Sequence, residues 1–215
     1  MTKADNVAPA GWEAISGLIK DEDALTEGRN KLAKSALACF AKQGYSETSV
    51  NDIAEAAGVS IGSVYKYVRA KEDILWLVSE AGFEGTNEAV ARAMSVEGSA
   101  TVKLDALVDS TIRQADSDRD LVRLLYVEFR YLPQPMQQRL RDQEERHVGE
   151  VTSLIEQGNA AKEFDCDDPR MVAIAVSMFT STWILKRHMF RRISLAEYIK
   201  RHQAMARHLA GAKTA

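Results

Sequence analysis

The 215-residue chain has few cysteines, few prolines and no long apolar run. Its two cysteines, Cys39 and Cys166, form no CxxC motif, so we expect neither a disulfide framework nor a cysteine metal site. With only four prolines, the chain can form long helices. No run approaches the ~18 apolar residues of a membrane span, and residues 1–13 lack the basic and apolar regions of a secretion signal. We therefore expect a cytoplasmic protein that does not contact the membrane.

Motifs of catalysis and metal binding are also missing. The chain contains no glycine-rich phosphate loop and no Ser/His/Asp arrangement, so no nucleophile, base and orienting group can be named together. Glu144 and His147 have i,i+3 spacing on a predicted helix, but a di-metal site needs a second pair of that kind. The sequence thus predicts no enzyme activity, no catalytic residue, no metal and no cofactor.

Residues 48–75 have the pattern of two short helices joined by a glycine turn and followed directly by a third helix. Apolar residues recur at three- and four-residue steps in the first helix, and Ser49 with Asp52 is typical of a helix start. Gly58 then lacks the Cβ that would oppose a sharp turn. This order of elements is that of a DNA-reading helix-turn-helix.

The second helix of this segment has an inward and an outward face. Ser60 is its predicted N-cap, and we expect the helix to run to about Val68, with Val64 and Val68 facing inward. The outward face carries hydroxyl, cationic and aromatic groups, which suit phosphate oxygens and base edges. These outward residues are Ile61, Ser63, Lys66 and Tyr67.

From about Arg29 to Leu75 the chain resembles the DNA-binding domain of the TetR family of bacterial transcriptional regulators. The residues that match the family's pattern in type and order are Phe40, Gly44, Tyr45, Thr48, Ser49, Val50, Ile53, Ala54, Ala57, Gly58, Val59, Ser60, Gly62, Tyr65, Lys71, Glu72 and Leu75. The resemblance implies an all-α protein of about nine helices. An N-terminal extension (residues 1–26) would precede a three-helix helix-turn-helix domain (27–75) and a helical ligand-binding and dimerisation domain (76–215).

The resemblance also implies which residues meet DNA. Ser49, Ser60, Ser63, Tyr67 and Lys71 would contact phosphates, and Ile61, Gly62, Ser63 and Lys66 would lie nearest to base edges. Thr48 and Tyr65 complete the predicted set, although the Tyr65 ring is as well suited to packing between helices. The chain departs from the family where Lys66 and Tyr67 replace a frequent aromatic–His pair and Val68 replaces a frequent Phe. Details of groove contact are therefore expected to differ.

Local charge agrees with a DNA-binding segment. Residues 29–71 contain seven Lys or Arg and three acids, a net charge of +4, whereas the rest of the chain carries −7. A basic region on an acidic body is expected when one end of a protein meets a polyanion. A solvated face with a chance excess of cations is the alternative that charge alone leaves open.

The N-terminal extension is acidic, with a net charge of −4 over residues 1–27. A DNA-grasping arm would be basic, so this role is not expected. Trp12, Ile15, Leu18 and Ile19 could form one side of a short helix. We expect the extension to pack on the body or on a second subunit, with disorder as the alternative.

Beyond residue 75 the pattern is helical throughout. Pro133 and Pro135 interrupt it, Asp168 with Pro169 is typical of a helix start, and Ser194 with Glu197 predicts a capping box. The predicted helices span about residues 71–96, 101–116, 118–131, 135–160, 169–191 and 195–209.

The last two of these helices are the candidates for a dimer interface. The helix after Asp168 is apolar on most sides, and the final helix has a narrower apolar stripe, which includes Leu195, Ile199 and Leu209. In the TetR family such a pair forms most of the dimer interface, which implies a homodimer on a near-palindromic operator. A plain core helix is the other interpretation of the first of the pair.

Aromatic residues of the C-terminal region are candidates for an effector pocket, which the family places inside its helical body. The predicted ligand-binding set is Tyr126, Phe129, Arg130, His147, Phe179 and Trp183. Each aromatic residue taken singly is more often part of a core than of a ligand site. Residues 124–151, with Trp183 and Lys186–Arg187, weakly resemble TetR-type regulators of fatty-acid, sterol or aromatic-acid breakdown.

These features predict a TetR-type DNA-binding regulator, a repressor released from its operator by a small effector. The effector would be apolar or of the acyl-CoA type: an acyl-CoA, a fatty acid, a sterol or an aromatic compound. The alternative is a TetR-like DNA-binding protein that is controlled by a protein partner and has no small ligand.

Overall fold

The computed structural model describes residues 22–212 of the chain, and within them it contains nine α-helices, two short 3₁₀ segments and no β-strand. The α-helices are α1 (Glu22–Gln43), α2 (Val50–Ala57), α3 (Ile61–Val64), α4 (Lys71–Met94), α5 (Ala100–Ser117), α6 (Arg119–Glu128), α7 (Gln134–Ala160), α8 (Pro169–Leu185) and α9 (Leu195–Leu209). The 3₁₀ segments are Phe129–Tyr131 and Arg187–Phe190. The predicted all-α class and helix number are confirmed. The helix predicted around Trp12 lies outside the described residues.

The chain forms two compact units. Unit 1 runs up to Ala81 and also includes Val127–Pro133. Unit 2 consists of Gly82–Tyr126 and the chain from Gln134 onward. The predicted domain boundary at residue 75 therefore lies six residues before the point at which α4 passes from one unit to the other.

In unit 1, the start and end of α2 are fixed by residues that are close together in the sequence. Ser49 Oγ accepts a hydrogen bond from Asp52 N, and Asp52 Oδ2 accepts one from Ser49 N at 2.8 Å, which completes a capping box at the start of α2. Gly58 closes the helix with a positive φ of 64°, a conformation that a residue without a Cβ adopts at little cost. These predictions for α2 are confirmed.

Helix α3 is shorter than predicted. It ends at Val64 and not at Val68, because the N–H groups of Lys66 and Tyr67 turn to the carbonyls three residues earlier. Asp73 Oδ2 accepts the N–H groups of Arg69 and Ala70 and so fixes the following turn. Val64 and Val68 are nonetheless both fully buried, as predicted, because the tighter turn still points them inward.

Unit 2 has its core where α5, α7, α8 and α9 meet. Leu104, Leu107 and Ile112 of α5 are buried against Leu154 and Ile155 of α7. The N-terminus of α5 is held from a distance, since Glu163 accepts the N–H groups of Ala100 and Thr101. These hydrogen bonds hold the pKa of the Glu163 carboxyl below its usual value, the Thr101 bond most strongly.

Helix α8 also ends before its predicted limit, at Leu185 and not near Arg191. The chain tightens into a 3₁₀ turn, which brings the Phe190 ring to 6.0 Å from Trp183 and 4.9 Å from Tyr198. The segment after Leu185, which was predicted to be helical, thus turns back so that Phe190 packs on the core. Asp168 and Pro169 start α8 as predicted, with Asp168 Oδ1 accepting from Met171 N.

The last helix, α9, matches its predicted span of residues 195–209, but only half of its capping box forms. Ser194 Oγ accepts from Glu197 N, whereas the Glu197 carboxylate accepts from Arg201 Nε at 2.7 Å. The charged guanidinium of Arg201, one turn away, thus donates to the Glu197 carboxylate in place of the backbone N–H of Ser194.

The described residues contain neither a candidate membrane span nor a candidate metal site. In this part of the chain no helix is both long enough and apolar enough to cross a membrane. Among residues 22–212 no group of three or more His, Cys, Asp or Glu side chains is placed to hold a metal ion.

Candidate DNA-binding surface and effector region

The exposed side of α3 collects most of the residues predicted to meet DNA. Ser60 caps the helix by accepting from Ser63 N, and the two serine hydroxyls lie 2.9 Å apart. Ile61, Gly62 and Lys66 are exposed beside them. One short helix therefore presents hydroxyl, apolar and cationic groups together, which are the group types that contact phosphates and base edges.

The Tyr65 side chain is exposed, with 51% of the residue's surface open to solvent. The sequence left two interpretations of Tyr65 open, a DNA contact and packing between the helices. The exposure of the residue does not agree with packing between the helices. The ring lies free on the same unit as Lys66 and is available to a partner.

Tyr67 packs against α1 and is only partly exposed. A Cβ placed on Gly28 would lie 2.4 Å from both the Cζ and the hydroxyl oxygen of Tyr67, so the ring occupies space that only glycine leaves open. Gly28 thereby sets the position of a residue predicted to touch phosphate. Sequence reasoning missed Gly28, because a glycine inside a helical pattern gave no sign of its distant neighbour.

Two other predicted DNA residues have structural roles. Thr48 is buried, and its hydroxyl donates to the Gly44 carbonyl at 2.7 Å. Lys71 Nζ donates to the carbonyls of Tyr45 and Ser46 at 2.9 and 3.1 Å and lies over the Tyr45 ring. Lys71 thus uses two of its three N–H donors to fix the loop between α1 and α2.

In unit 2, a set of polar side chains bridges α6, α7 and α8. The Tyr126 hydroxyl lies 2.9 Å from Ser181 Oγ and is also hydrogen-bonded to the Glu144 carboxyl. Burial raises the pKa of both Tyr126 and Glu144.

A second polar set joins α4 to α7. Gln143 Nε2 donates to Asn87 Oδ1 at 2.7 Å, and His147 follows one helical turn after Gln143. Gln143 Oε1 and His147 Nδ1 are both buried and have no hydrogen-bond partner among the described residues. Burial lowers the pKa of His147, which favours the neutral form of its ring. Buried polar groups without a hydrogen-bond partner are costly, so these two atoms mark a candidate position for a polar group of a ligand.

Trp183 belongs to the core and not to an open pocket. Only 1% of its surface is exposed, and its indole N–H donates to Asp116 Oδ1 at 2.9 Å. Its ring lies 4.8 Å from that of Tyr198. Phe179 is half-buried in the same unit, and its ring centroid lies 5.1 Å from that of His202 in an edge-to-face arrangement.

Two regions of the chain match models of known protein families. Residues 32–76 match the family model of bacterial regulatory proteins of the tetR family, and residues 97–184 match a tetracyclin repressor-like C-terminal domain. The chain belongs to the TetR family. It is accordingly a TetR-type transcriptional regulator, and its relatives are DNA-binding proteins and not enzymes.

Individual relatives of this TetR-type regulator are distant but cover most of its length. The HTH-type transcriptional regulator HbdR of Aromatoleum sp. (strain CIB) is 25% identical over 87% of this chain and 82% of its own. The fatty acid metabolism regulator protein of Bacillus subtilis (strain 168) is 21% identical over 79% of this chain and 90% of its own. A solved tetR-family regulatory protein from Rhodococcus RHA1 has the same fold, with a TM-score of 0.78 at 21% identity over 87% and 98% of the two chains.

The structure of this TetR-type regulator divides the predicted effector residues. Tyr126, His147, Phe179 and Trp183 lie in unit 2, whereas Phe129 and Arg130 lie in unit 1. The Arg130 guanidinium stacks over the neighbouring Tyr131 ring at 4.6 Å. Asn87, Gln143 and Glu144, which sequence reasoning did not select as ligand contacts, are polar residues that accompany the unit 2 set. Only Glu144 gave a sequence signal, through its spacing to His147.

Proposed function

We propose that this TetR-type regulator is a homodimeric repressor that binds a near-palindromic operator and is released from it by a small effector. The effector is apolar or of the acyl-CoA type and binds in unit 2. The observation that carries the effector site is that two buried polar atoms one helical turn apart, Gln143 Oε1 and His147 Nδ1, have no hydrogen-bond partner among the described residues.

The proposed DNA contacts are the ten residues predicted from the sequence, with roles adjusted by their surroundings. Ser49, Ser60, Ser63 and Tyr67 supply hydroxyls to phosphates, and Ile61, Gly62 and Lys66 approach base edges. The exposure of Tyr65 supports its inclusion. Thr48 and Lys71 act first by holding the loop before α2. The third N–H donor of Lys71 remains for a phosphate.

The proposed dimer interface consists of the outer faces of α8 and α9. Three residues at helical spacing on α8 expose large apolar side chains, and two on α9 do the same: Met171, Ile174 and Met178, and Met205 and Leu209. An apolar row on each of two neighbouring helices is expected to be covered in the assembled protein. A second copy covers it by two-fold symmetry, which places two recognition helices on two half-sites.

The proposed effector pocket lies beside the polar sets of Tyr126 and Gln143. A donor group of the effector would pair with Gln143 Oε1, and the neutral His147 ring can accept or donate through Nδ1. The names of the fatty acid metabolism regulator and of the wider family support an apolar effector without identifying it. Val148, the residue after His147, packs against the buried apolar core of unit 2, and an apolar environment of this kind suits a hydrocarbon chain or ring system.

The proposed release of DNA is a population shift. The effector stabilises a state of the dimer in which the two recognition helices no longer match the half-site spacing. Helix α4 contributes residues to both units and is the continuous element between them. A shift of this kind requires the effector to bind one state more tightly than the other.

The test begins with selection of fragmented genomic DNA on the purified protein, followed by anisotropy measurements with the enriched site. We expect an enriched near-palindrome and its release by at least one acyl-CoA, fatty acid, sterol or aromatic compound. Gln143→Ala should raise the effector concentration needed for release without changing operator affinity, and exposed Gln138→Ala is the matched control. Release by a partner protein but by none of these compounds would instead support control by a protein.

A further inference from the structure

Two buried polar atoms of α7 are left without a partner by the packing of unit 2. Gln143 Oε1 and His147 Nδ1 make no hydrogen bond to any described residue. Gln143 is deeply buried, with 7% of its surface exposed. The two residues are four positions apart in one helix, so their side chains are neighbours on one face of it. A single polar group of a ligand can therefore lie within reach of both atoms.

The orientation of the Gln143 amide decides what kind of group it can bind. Its Nε2 donates to Asn87 Oδ1 of α4 at 2.7 Å. Because the amide nitrogen faces Asn87, the carbonyl oxygen Oε1 is the end of the side chain that is left without a partner. A carbonyl oxygen only accepts hydrogen bonds. The group that pairs with Gln143 must therefore carry an O–H or N–H donor.

The surroundings of His147 favour an uncharged ligand group. Burial lowers the pKa of the His147 ring, and in the described part of the chain no charged side chain adds to that shift. Arg139, the cation one turn before Gln143, has its guanidinium over the Phe83 ring of α4, 5.4 Å from the centroid. A carboxylate buried beside His147 would lose its hydration without gaining an opposite charge, and it would face the Gln143 oxygen.

We propose that Gln143 and His147 bind a hydroxyl group of the effector. A hydroxyl donates to Gln143 Oε1 and accepts from His147 Nδ1–H, so one small neutral group satisfies both buried atoms. A carboxylate or a ketone cannot donate to Oε1, and an ammonium group cannot accept from Nδ1–H. This hydroxyl site rests on the proposed function, because it names the group by which the effector in unit 2 is recognised. The effector is thereby narrowed to an apolar alcohol or phenol, and a free fatty acid is disfavoured.

Matched compounds test the chemical group, by isothermal titration calorimetry on the full-length protein at about pH 7, where a phenol is neutral and a carboxylic acid is ionised. One series is 2-naphthol, 2-methoxynaphthalene and 2-naphthoate, and the other is 1-decanol, 1-methoxydecane and decanoate. We expect the hydroxyl compound of at least one series to bind at least about tenfold more tightly than its ether and its carboxylate, because only the hydroxyl donates to Gln143 Oε1. Failure of both hydroxyl compounds to bind more tightly than their partners would overturn the proposal.

Variants of α7 locate the hydroxyl site. Gln143→Leu removes the acceptor and should bring the affinities for the hydroxyl compound and its ether within about twofold of each other. Gln143→Glu keeps an acceptor oxygen and should keep a preference for the hydroxyl compound, whereas His147→Phe keeps a ring without Nδ1 and should weaken that preference. Exposed Gln138→Leu makes the same change elsewhere on α7 and should behave as the parent does. An unchanged preference in Gln143→Leu, with the circular dichroism of the parent, would overturn the proposal.

Operator release separates the hydroxyl site from the proposed function. If a fatty acid or an acyl-CoA releases the operator while neither hydroxyl compound is preferred over its ether, the release mechanism stands and the hydroxyl site is wrong. A trapped water, and not a ligand, would then satisfy Gln143 and His147. If a hydroxyl compound binds through Gln143 without releasing the operator, the hydroxyl site stands and the proposed release mechanism fails.

Discussion

The two units of this regulator are held together by interactions of different range. In unit 1 the helix caps join residues three or four positions apart, such as Ser49 with Asp52 and Asp73 with Arg69. In unit 2 the side-chain hydrogen bonds that fix the core join distant residues. Trp183 and Asp116 are 67 positions apart, and Arg207 and Asp105 are 102 apart.

This difference explains why the motifs of unit 1 can be read directly from the sequence, whereas the side-chain contacts of unit 2 cannot. A cap or a glycine turn leaves its signal within a few residues, where the sequence displays it directly. A bond across 67 positions leaves no local signal, because each partner is an ordinary residue until the helices meet.

Removal of the long-range anchor of unit 2 should have the largest effect. Trp183→Ala deletes a buried ring and leaves Asp116 without its indole donor, so we expect a loss of about 3–5 kcal/mol in the free energy of unfolding. Urea denaturation followed by circular dichroism measures this. Trp183→Phe, which keeps a ring but not the N–H, should lose about 1–3 kcal/mol. If Trp183→Ala lost less than about 3 kcal/mol of unfolding free energy, the ring would not be an anchor of unit 2.

The contact of Gly28 with Tyr67 is a long-range contact within unit 1, and its removal tests whether such contacts matter there. Gly28→Ala forces the Tyr67 ring to move, because the new Cβ would lie 2.4 Å from it. We expect operator affinity to fall by about tenfold, the equivalent of one lost phosphate hydrogen bond, while stability changes little because alanine favours the helix. Anisotropy titrations measure the affinity.

Tyr67→His in the Gly28→Ala background supplies the control for that contact. Histidine is the residue type that the family often has at this position, and its shorter side chain leaves room for the new Cβ. Operator affinity should rise again towards that of the Tyr67→His single variant. Equal affinities of the parent and Gly28→Ala would remove Gly28 from the DNA-binding surface.

A local cap should have a smaller effect on stability. Ser49→Ala removes one half of the capping box of α2 and should cost about 1 kcal/mol of unfolding free energy. Ser49→Thr keeps the hydroxyl and is the matched control. Thermal unfolding gives both values. A cost as large as that of Trp183→Ala would contradict the division into local and long-range units.

The smallest expected effect is a pH dependence that arises from unit 2. Burial lowers the pKa of His147 and His202 below the ordinary value of 6.5, so the unfolded chain takes up protons in mildly acidic solution that the folded chain does not. Stability should therefore fall as the pH is lowered from about 7 through 6.5 to 5.5. Glu144 and Glu150, whose pKa values are raised by burial, act in the opposite direction.

Substitution isolates the histidine contribution from that of the carboxyls. His147→Gln and His202→Gln should each lose less stability than the parent between pH 7 and pH 5.5. Exposed His208→Gln is the control and should behave as the parent does. Parallel pH profiles for all four proteins, measured by urea denaturation, would show that neither buried ring resists protonation.

Where chemistry was local, the sequence predicted structure closely. The N-caps Ser49, Ser60 and Asp168 and the turn at Gly58 are all in place, and α9 has its predicted span. Predictions of helix ends were less accurate where packing intervened. Helix α8 stops at Leu185 because Phe190 turns back onto Trp183 and Tyr198, and no local breaker announces this.

The effector residues show the same limit. Tyr126 and Trp183 were chosen alike for aromatic bulk, yet 38% of the Tyr126 surface is exposed and Trp183 is buried. The unsatisfied polar atoms of Gln143 and His147 become visible only when α4 and α7 are placed side by side. Burial and hydrogen-bond satisfaction are properties of neighbouring helices and not of single residues.

The sequence by itself determined the all-α class, the helix-turn-helix and the family, because periodicity, caps and turns depend on residues within a few positions of each other. The tertiary structure alone decided that Gly28 makes room for Tyr67 and that Arg187 rests on Trp183. The tertiary structure also showed which of the predicted site residues are buried and which are exposed. These features depend on contacts between helices, and side-chain packing in three dimensions, unlike helix capping, leaves no fixed spacing in the chain.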